Sequence, residues 1–243
     1  MFRLALINPN TDARHTEAMG AVARETLPGE CEVTAVSPER GPASIESEAD
    51  SVVAAAAVAE LVRELPAHDA YLVACFGDPG VDAARELTEA PVVGIGEAAF
   101  RAAVTVARRF AVLTTLPRSI PELEDALDRH GVRGRCVAVE PLGIAVADQG
   151  SHNPATTAAI VEAGRRVVSR DRAEALVLAC GGMADVARTV AGEVGVPVCD
   201  GVAFGAMTAY GLWRCGLRTS KAGAYGWPEA IDYAGMPGNG RAR

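Results

Sequence analysis

Two cysteines of this chain sit in matched settings. In "LVACFGDPGVDAARE" (72–86), an apolar run ends at Ala74-Cys75, glycine and proline follow, and a helical pattern begins. In "LVLACGGMADVARTV" (176–190), Ala179-Cys180 ends a similar run, Gly181-Gly182 follow, and a second helical pattern begins. Each thiol is expected to close a buried strand just ahead of a helix N-terminus, where unpaired amide N–H groups favour negative charge. That setting is expected to pull a thiol below its free value of about 8.5. The glycines at 77, 181 and 182 would let backbone N–H groups approach a ligand closely. Asp78 reads as an N-cap and Pro79 as the first helical residue.

Two thiols facing one another suit a proton transfer through a planar carbanion. One thiolate removes a proton from carbon on one face, and the other thiol returns a proton to the opposite face. The carbanion needs an adjacent carbonyl and donors on its oxygen. The backbone N–H groups after each cysteine are candidates for those donors. The chemistry inverts a stereocentre and calls for no cofactor; no phosphate loop, metal cluster or pyridoxal-binding lysine is visible.

The elements that must place these thiols come in regular order. Strand patterns cover 2–7, 31–36, 70–75, 92–95, 110–115, 135–139, 175–180 and 196–199. Helical patterns lie near 11–27, 47–65, 80–89, 97–108, 118–130, 155–169, 183–194 and 202–215. Continuously apolar strands alternating with amphipathic helices indicate an α/β fold with parallel sheets covered on both faces. The pattern also repeats. Phe2 pairs with Phe110, Pro9 with Pro117 and Thr11 with Ser119, while Cys31 pairs with Cys136 and Cys75 with Cys180, at offsets of 108 and 105. A nearly constant offset implies two copies of one four-stranded unit. The expectation is two pseudo-symmetric lobes, each a four-stranded parallel sheet flanked by helices, with the site in the cleft between them. Residues 1–105 would form the first lobe and 106–205 the second. Residues 206–243 would be a helix and tail returning toward the first. The stretch 226–243, rich in Gly and Pro, is expected to be loosely held.

Composition narrows the partners. The 243 residues carry a net charge of −8, which disfavours nucleic acid, and 49% are hydrophobic, enough for a sizeable core. No signal peptide or apolar stretch of roughly 18–20 residues is present, so a cytoplasmic protein off the membrane is expected. Six cysteines without CxxC spacing point to free thiols rather than disulfides or zinc. Cys31 and Cys136 begin strands, at the wrong sheet edge for a ligand, and read as core.

Around the cysteines, "INPNT" (7–11), "GPASIE" (41–46), "ACFGDPG" (74–80), "PVVGIGEAA" (91–99), "CGGMADVA" (180–187) and "PVCDGVA" (197–203) resemble the hydantoin racemases of the aspartate/glutamate racemase superfamily. The resemblance spans about 3–226. It implies two α/β lobes, homo-oligomers, and Cys75 and Cys180 as the acid/base pair. One departure is Ala179-Cys180-Gly181-Gly182-Met183, where the family pattern has Gly-Cys-Ala-Gly-Met. Glutamate racemases, by contrast, carry Cys-Thr-His at the second cysteine and Asn-Thr after the first; here Gly181-Gly182 and Phe76-Gly77 stand there. Arylmalonate decarboxylases keep one cysteine, and both are present here. A neutral cyclic amide therefore fits better than a free amino acid.

The expected activity is racemisation next to a ring carbonyl, on 5-substituted hydantoins. The alternatives are an allantoin racemase, a cyclic dipeptide epimerase, an Asp/Glu racemase, or a two-lobed small-molecule binding protein. Besides Phe76, Gly77, Gly181 and Gly182, the expected substrate contacts are Asn8, Thr115 and Ser44, the last in a loop over the cleft. Thr114 carries less weight. Loops near 40–45, 76–80 and 145–153 should shape the pocket. Thr11 and Asp200 read as helix caps or first-turn residues, and His15, His68, His130 and His152 receive no role.

Overall fold

Strands that are apolar on both faces need cover on both sides. In the computed structural model, which describes residues 1–148, 153–229 and 231, they obtain it from two repeated units. The first runs β1 (Arg3–Ile7), α1 (Ala13–Thr26), β2 (Glu32–Val36), α2 (Glu48–Glu64), β3 (Ala70–Val73), α3 (Val81–Leu87), β4 (Val92–Gly94) and α4 (Ile95–Val106). The second runs β5 (Phe110–Thr114), α5 (Ile120–Arg129), β6 (Cys136–Pro141), α6 (Pro154–Asp171), β7 (Ala175–Leu178), α7 (Ala187–Val194), β8 (Val198–Cys199) and α8 (Gly201–Arg214).

Each unit forms one parallel sheet, in the orders β2-β1-β3-β4 and β6-β5-β7-β8. The chain moves outward from β1 to β2, then returns to the other side of β1 for β3. The crevice beyond the carboxyl ends of β1 and β3 is therefore a topological switch point, where ligands of open α/β sheets bind. β5 and β7 make the second one. Register aligns the ends of these strands, with Ile7 beside Val73 and Leu113 beside Leu178.

The two units exchange their last helices. α8 buries Val202, Ala206 and Ala209 with Phe2, Leu4, Leu6 and Leu72 of the first sheet. α4 buries Ala99, Phe100 and Ala103 with Phe110, Val112 and Val177 of the second. The opposite faces are covered locally: α2 places Val58 and Val62 on Ala5, Ile7 and Val73, and α6 places Ile160 and Val167 on Leu113 and Leu176.

Two strands stop sooner than their apolar runs. β3 ends at Val73 and β7 at Leu178, so Cys75 and Cys180 are not the last strand residues. Ala74 N–H still donates to Ile7 O, and Ala179 N–H to Leu113 O, at 2.8 and 2.9 Å. There the neighbouring strand gives out. Asn8 leads into Pro9, which turns the chain away. The second cysteine is followed by a 3₁₀ turn over Gly181–Val186, and α7 starts only at Ala187, short of the helix expected from 183. Beyond α8, Thr219 N–H donates to Glu89 O, and Lys221 Nζ reaches Arg85 O and Glu86 O. That tail is thus tied to the first half at least as far as Tyr225. Most of the stretch expected to be loose, and His152, lie outside the described residues. No helix among the described residues is long and apolar enough to cross a membrane.

Candidate active site

The two cysteine loops have the same hydrogen-bond plan. Cys75 O accepts from Asp78 N–H at 3.0 Å, and Cys180 O accepts from Met183 N–H at 3.1 Å, so each cysteine opens a turn closed three residues on. In each loop the glycine N–H two residues on points at the sulfur: Gly77 at Cys75 and Gly182 at Cys180. The sequence reading gave such N–H groups to the substrate's oxygen. In the structure these two serve the thiols.

One pocket takes both thiols, together with the ends of β1 and β5. Of the expected contacts, Asn8, Phe76, Gly77, Thr114, Thr115, Gly181 and Gly182 all line it. Ser44 does not: its hydroxyl donates to Glu46 Oε1 at 3.1 Å, and its neighbour Ile45 faces the pocket instead. Asn8 is buried, and its amide donates to Asn10 Oδ1 at 2.8 Å and to Thr16 Oγ1 at 2.9 Å. It ties the β1–α1 loop together as well as walling the site. Phe76 turns its ring into the core of the second half, edge-on to Phe100 at 5.3 Å.

Two capping assignments change, those of Asp78 and Thr11, and the cap expected at Asp200 is present. Asp78 does not cap α3. It stands at φ 52°, with its carboxylate accepting from Gly96 N–H and Glu97 N–H at 2.8 Å each, so it caps α4. α3 starts after Gly80, whose φ of 75° suits glycine. Asp12, not Thr11, caps α1, accepting from Arg14 N–H and His15 N–H. Thr11 instead bonds to Pro42 O. Asp200 caps α8 through Val202 N–H and Ala203 N–H.

The family model for Asp/Glu/hydantoin racemase matches residues 4–209. The hydantoin racemase of Pseudomonas sp. (strain NS671) is 39% identical, over 96% of this chain and 94% of its own.

The chain belongs to the Asp/Glu/hydantoin racemase family.

Solved structures agree in fold. An allantoin racemase from Klebsiella pneumoniae superposes with a TM-score of 0.92 at 38% identity, over 94% of each chain. One from Pseudomonas fluorescens gives 0.91 at 35%, over 96% of this chain and 99% of that one. The Gly181 departure has a local cause in this racemase. A β-carbon there would run into Met19 Sδ of α1 and lie 3.1 Å from Ala74 O, so the alanine of the family pattern needs the Met19 side chain to turn aside.

Electrostatics correct one expectation. The thiols are not lowered. Burial pushes Cys75 up to about 12, and the Gly77 N–H only partly offsets it, while Cys180, Glu122 and Asp78 add negative charge. Burial likewise pushes Cys180 up to about 11, against the Gly182 N–H, with Glu46 adding to the rise. α3 is only seven residues long and Asp78 faces α4, so little positive end is presented to Cys75.

Sequence reasoning missed several pocket residues. His15 and Met19 stand one turn apart on α1, His15 with Nδ1 3.2 Å from Asp12 Oδ2. Glu122 and Leu123 come from α5. The i,i+4 spacing of His15 and Met19 was legible only as an amphipathic helix face. Which face meets the cleft depends on the exchanged packing.

Proposed function

We propose that this racemase inverts the stereocentre of a neutral 5-substituted hydantoin ring, with Cys75 and Cys180 as its acid/base pair. The observation that carries the reading is the pair of cysteine turns, each closed by a hydrogen bond three residues on, opening on one pocket at two switch points. With Cys75 as thiolate, its sulfur takes the C5 proton. The C–H electron pair moves to the neighbouring carbonyl, giving an enolate. The Cys180 S–H bond then breaks and its proton goes to the opposite face of C5, leaving Cys180 as the thiolate. The opposite enantiomer runs the sequence backward. The Gly77 and Gly182 N–H groups favour whichever sulfur is ionised.

Hydantoin and allantoin are one class here, because allantoin is 5-ureidohydantoin. The relatives named for these two substrates are about equally similar to this chain. An Asp/Glu racemase is disfavoured because Phe76-Gly77 and Gly181-Gly182 line the pocket where that class carries Asn-Thr and Thr-His to hold an amino acid's charged groups. A hinged binding protein is disfavoured because opening the halves would strip α4 and α8 from the sheets they cover. The reading carries with it a reducing, cytoplasmic setting for free thiols, no cofactor, and a homo-oligomer.

The test is polarimetry on enantiopure hydantoins, allantoin, cyclic dipeptides, aspartate and glutamate, after exhaustive dialysis against EDTA. Loss of optical rotation with the hydantoin rings alone is the expected result. Activity restored only by added metal or pyridoxal phosphate overturns the two-thiol mechanism.

A further inference from the structure

The site holds an ionisable side chain that the two-thiol chemistry does not use. Glu122 lies in the first turn of α5, in the second half, and its carboxylate reaches across to the Cys75 loop of the first. A β-carbon on Gly77 would sit 2.5 Å from Glu122 Oε1. A side chain at that position, two residues past Cys75, would push the carboxylate aside. Among the described residues, no hydrogen-bond donor or ion-pair partner meets this carboxylate. The charges that act on it are Glu48, at the start of α2, and Arg129, in the last turn of α5, which also lines the pocket without forming an ion pair with it. The wall beside it is apolar, made by Leu123 and Ala126, with Ile45 and Met19 also lining the pocket. A ligand that expels water from this pocket leaves the carboxylate short of a donor unless it supplies one itself.

We propose that Glu122 reads the substituent at C5: its carboxylate accepts N–H donors from that group and selects rings bearing a donor, such as a ureido or aminoalkyl group, over rings bearing alkyl groups. This rests on the racemase reading above. When the carbanion flattens between the two sulfurs, the substituent lies at the edge of the ring rather than over either thiol. A carboxylate on the side wall is then placed to serve both enantiomers. A site built around a hydrogen bond rejects a ligand that lacks it, because its own polar group is left unpaired.

The test measures kcat/KM for 5-ureidohydantoin, 5-aminopropylhydantoin and 5-isobutylhydantoin with the parent, Glu122→Gln and Glu122→Leu. The parent should prefer the two donors. In Glu122→Leu the ratio of ureido to isobutyl should fall by about 10- to 100-fold, the range of a hydrogen bond to a charged group. Glu122→Gln keeps one acceptor oxygen and nearly the same shape. It should lose less of the ureido preference and more of the aminopropyl preference, and its ratios decide the matter if the leucine variant does not fold. Equal losses on all three rings, or no change, overturn the proposal; equal losses would tie Glu122 to the Cys75 thiol instead. A parent that racemises none of the three rings refutes the hydantoin reading itself, and the two failures are thereby told apart.

Discussion

The Asp78 carboxylate accepts the Gly96 N–H at 2.8 Å, and so fastens the loop that carries Cys75 to the helix that covers the other sheet. A β-carbon on Gly96 would collide with Phe76 O and approach Asp78 Oδ2 at 2.9 Å. Position of the Cys75 sulfur and packing of the two halves are therefore one structural problem. Asp78→Ala removes two hydrogen bonds at the start of α4 and should cost about 1–3 kcal/mol of stability, with at least a tenfold loss in kcat/KM. Thermal melts and polarimetry check both. Full activity in Asp78→Ala would show that the loop holds its shape unaided.

Burial also pushes the Asp78 carboxyl up to about 8, against the two N–H groups that favour its ionised form. A carboxyl raised on folding contributes most stability below its unfolded value near 4 and loses it as pH rises toward 8. The melting temperature of Asp78→Asn should therefore vary less between pH 4 and 8 than that of the parent. Parallel profiles would remove Asp78 as the source.

The raised thiols set the pH dependence of turnover. With Cys75 near 12 and Cys180 near 11, the thiolate is a minor species at neutral pH. kcat/KM should climb about tenfold per pH unit from 7 to 9. A plateau below pH 8 would mean the working thiol is far more acidic than its burial implies. The sign for stability is opposite: thiols raised on folding destabilise the fold as pH rises above about 8.5.

Serine is a far weaker base than thiolate near neutral pH. In deuterium oxide, Cys75→Ser should exchange the C5 hydrogen of one enantiomer with retention, and Cys180→Ser that of the other, while racemisation collapses in both. NMR on each enantiopure substrate reads this directly. Exchange of the same enantiomer by both variants would exclude opposed thiols. Cys31→Ser and Cys136→Ser, at the starting edge of β2 and β6, should keep most turnover.

Two glycines separate site from scaffold. Gly181→Ala must turn the Met19 side chain aside in the pocket wall and should change kcat/KM while leaving stability nearly unaltered. Gly192, in the interior of α7, has nothing within 4 Å of an added β-carbon. Gly192→Ala should raise stability by about 0.4–1 kcal/mol with unchanged kinetics. Denaturant titration and polarimetry on the pair would show whether crowding or backbone freedom is at stake.

Much of this was legible in the chain. Alternating runs and the repeat gave the eight strands, their parallel sheets and the matched cysteines, because apolar period and register are local signals. Asp78 was misread because Asp-Pro-Gly looks like a helix start, while its true partner, the amide of Gly96, is brought near only by the sheet order. Thiol acidity was misread because helix ends are visible in sequence and burial at a pocket floor is not. Ser44 was preferred for its hydroxyl, yet a hydrophobic neighbour, Ile45, turned out to face the pocket. Glu122 was passed over because a glutamate in a first helical turn is ordinary.

The exchanged helices bear on ancestry. A single four-stranded unit, cut free near residue 106, would leave the Phe2, Leu4 and Leu6 face of its sheet without the helix that covers it, and would hold out α4 with Phe100 exposed. Two copies of such a half-length chain would cover one another by trading those helices, which is the logic of a segment-swapped dimer. Joined tail to head through the short span between Val106 and Phe110, that dimer is the present molecule. Before fusion its twofold axis would have made the two thiols identical. The different walls they now face, Met19 at one loop and Glu122 at the other, are what a fused gene could acquire and a symmetric pair could not.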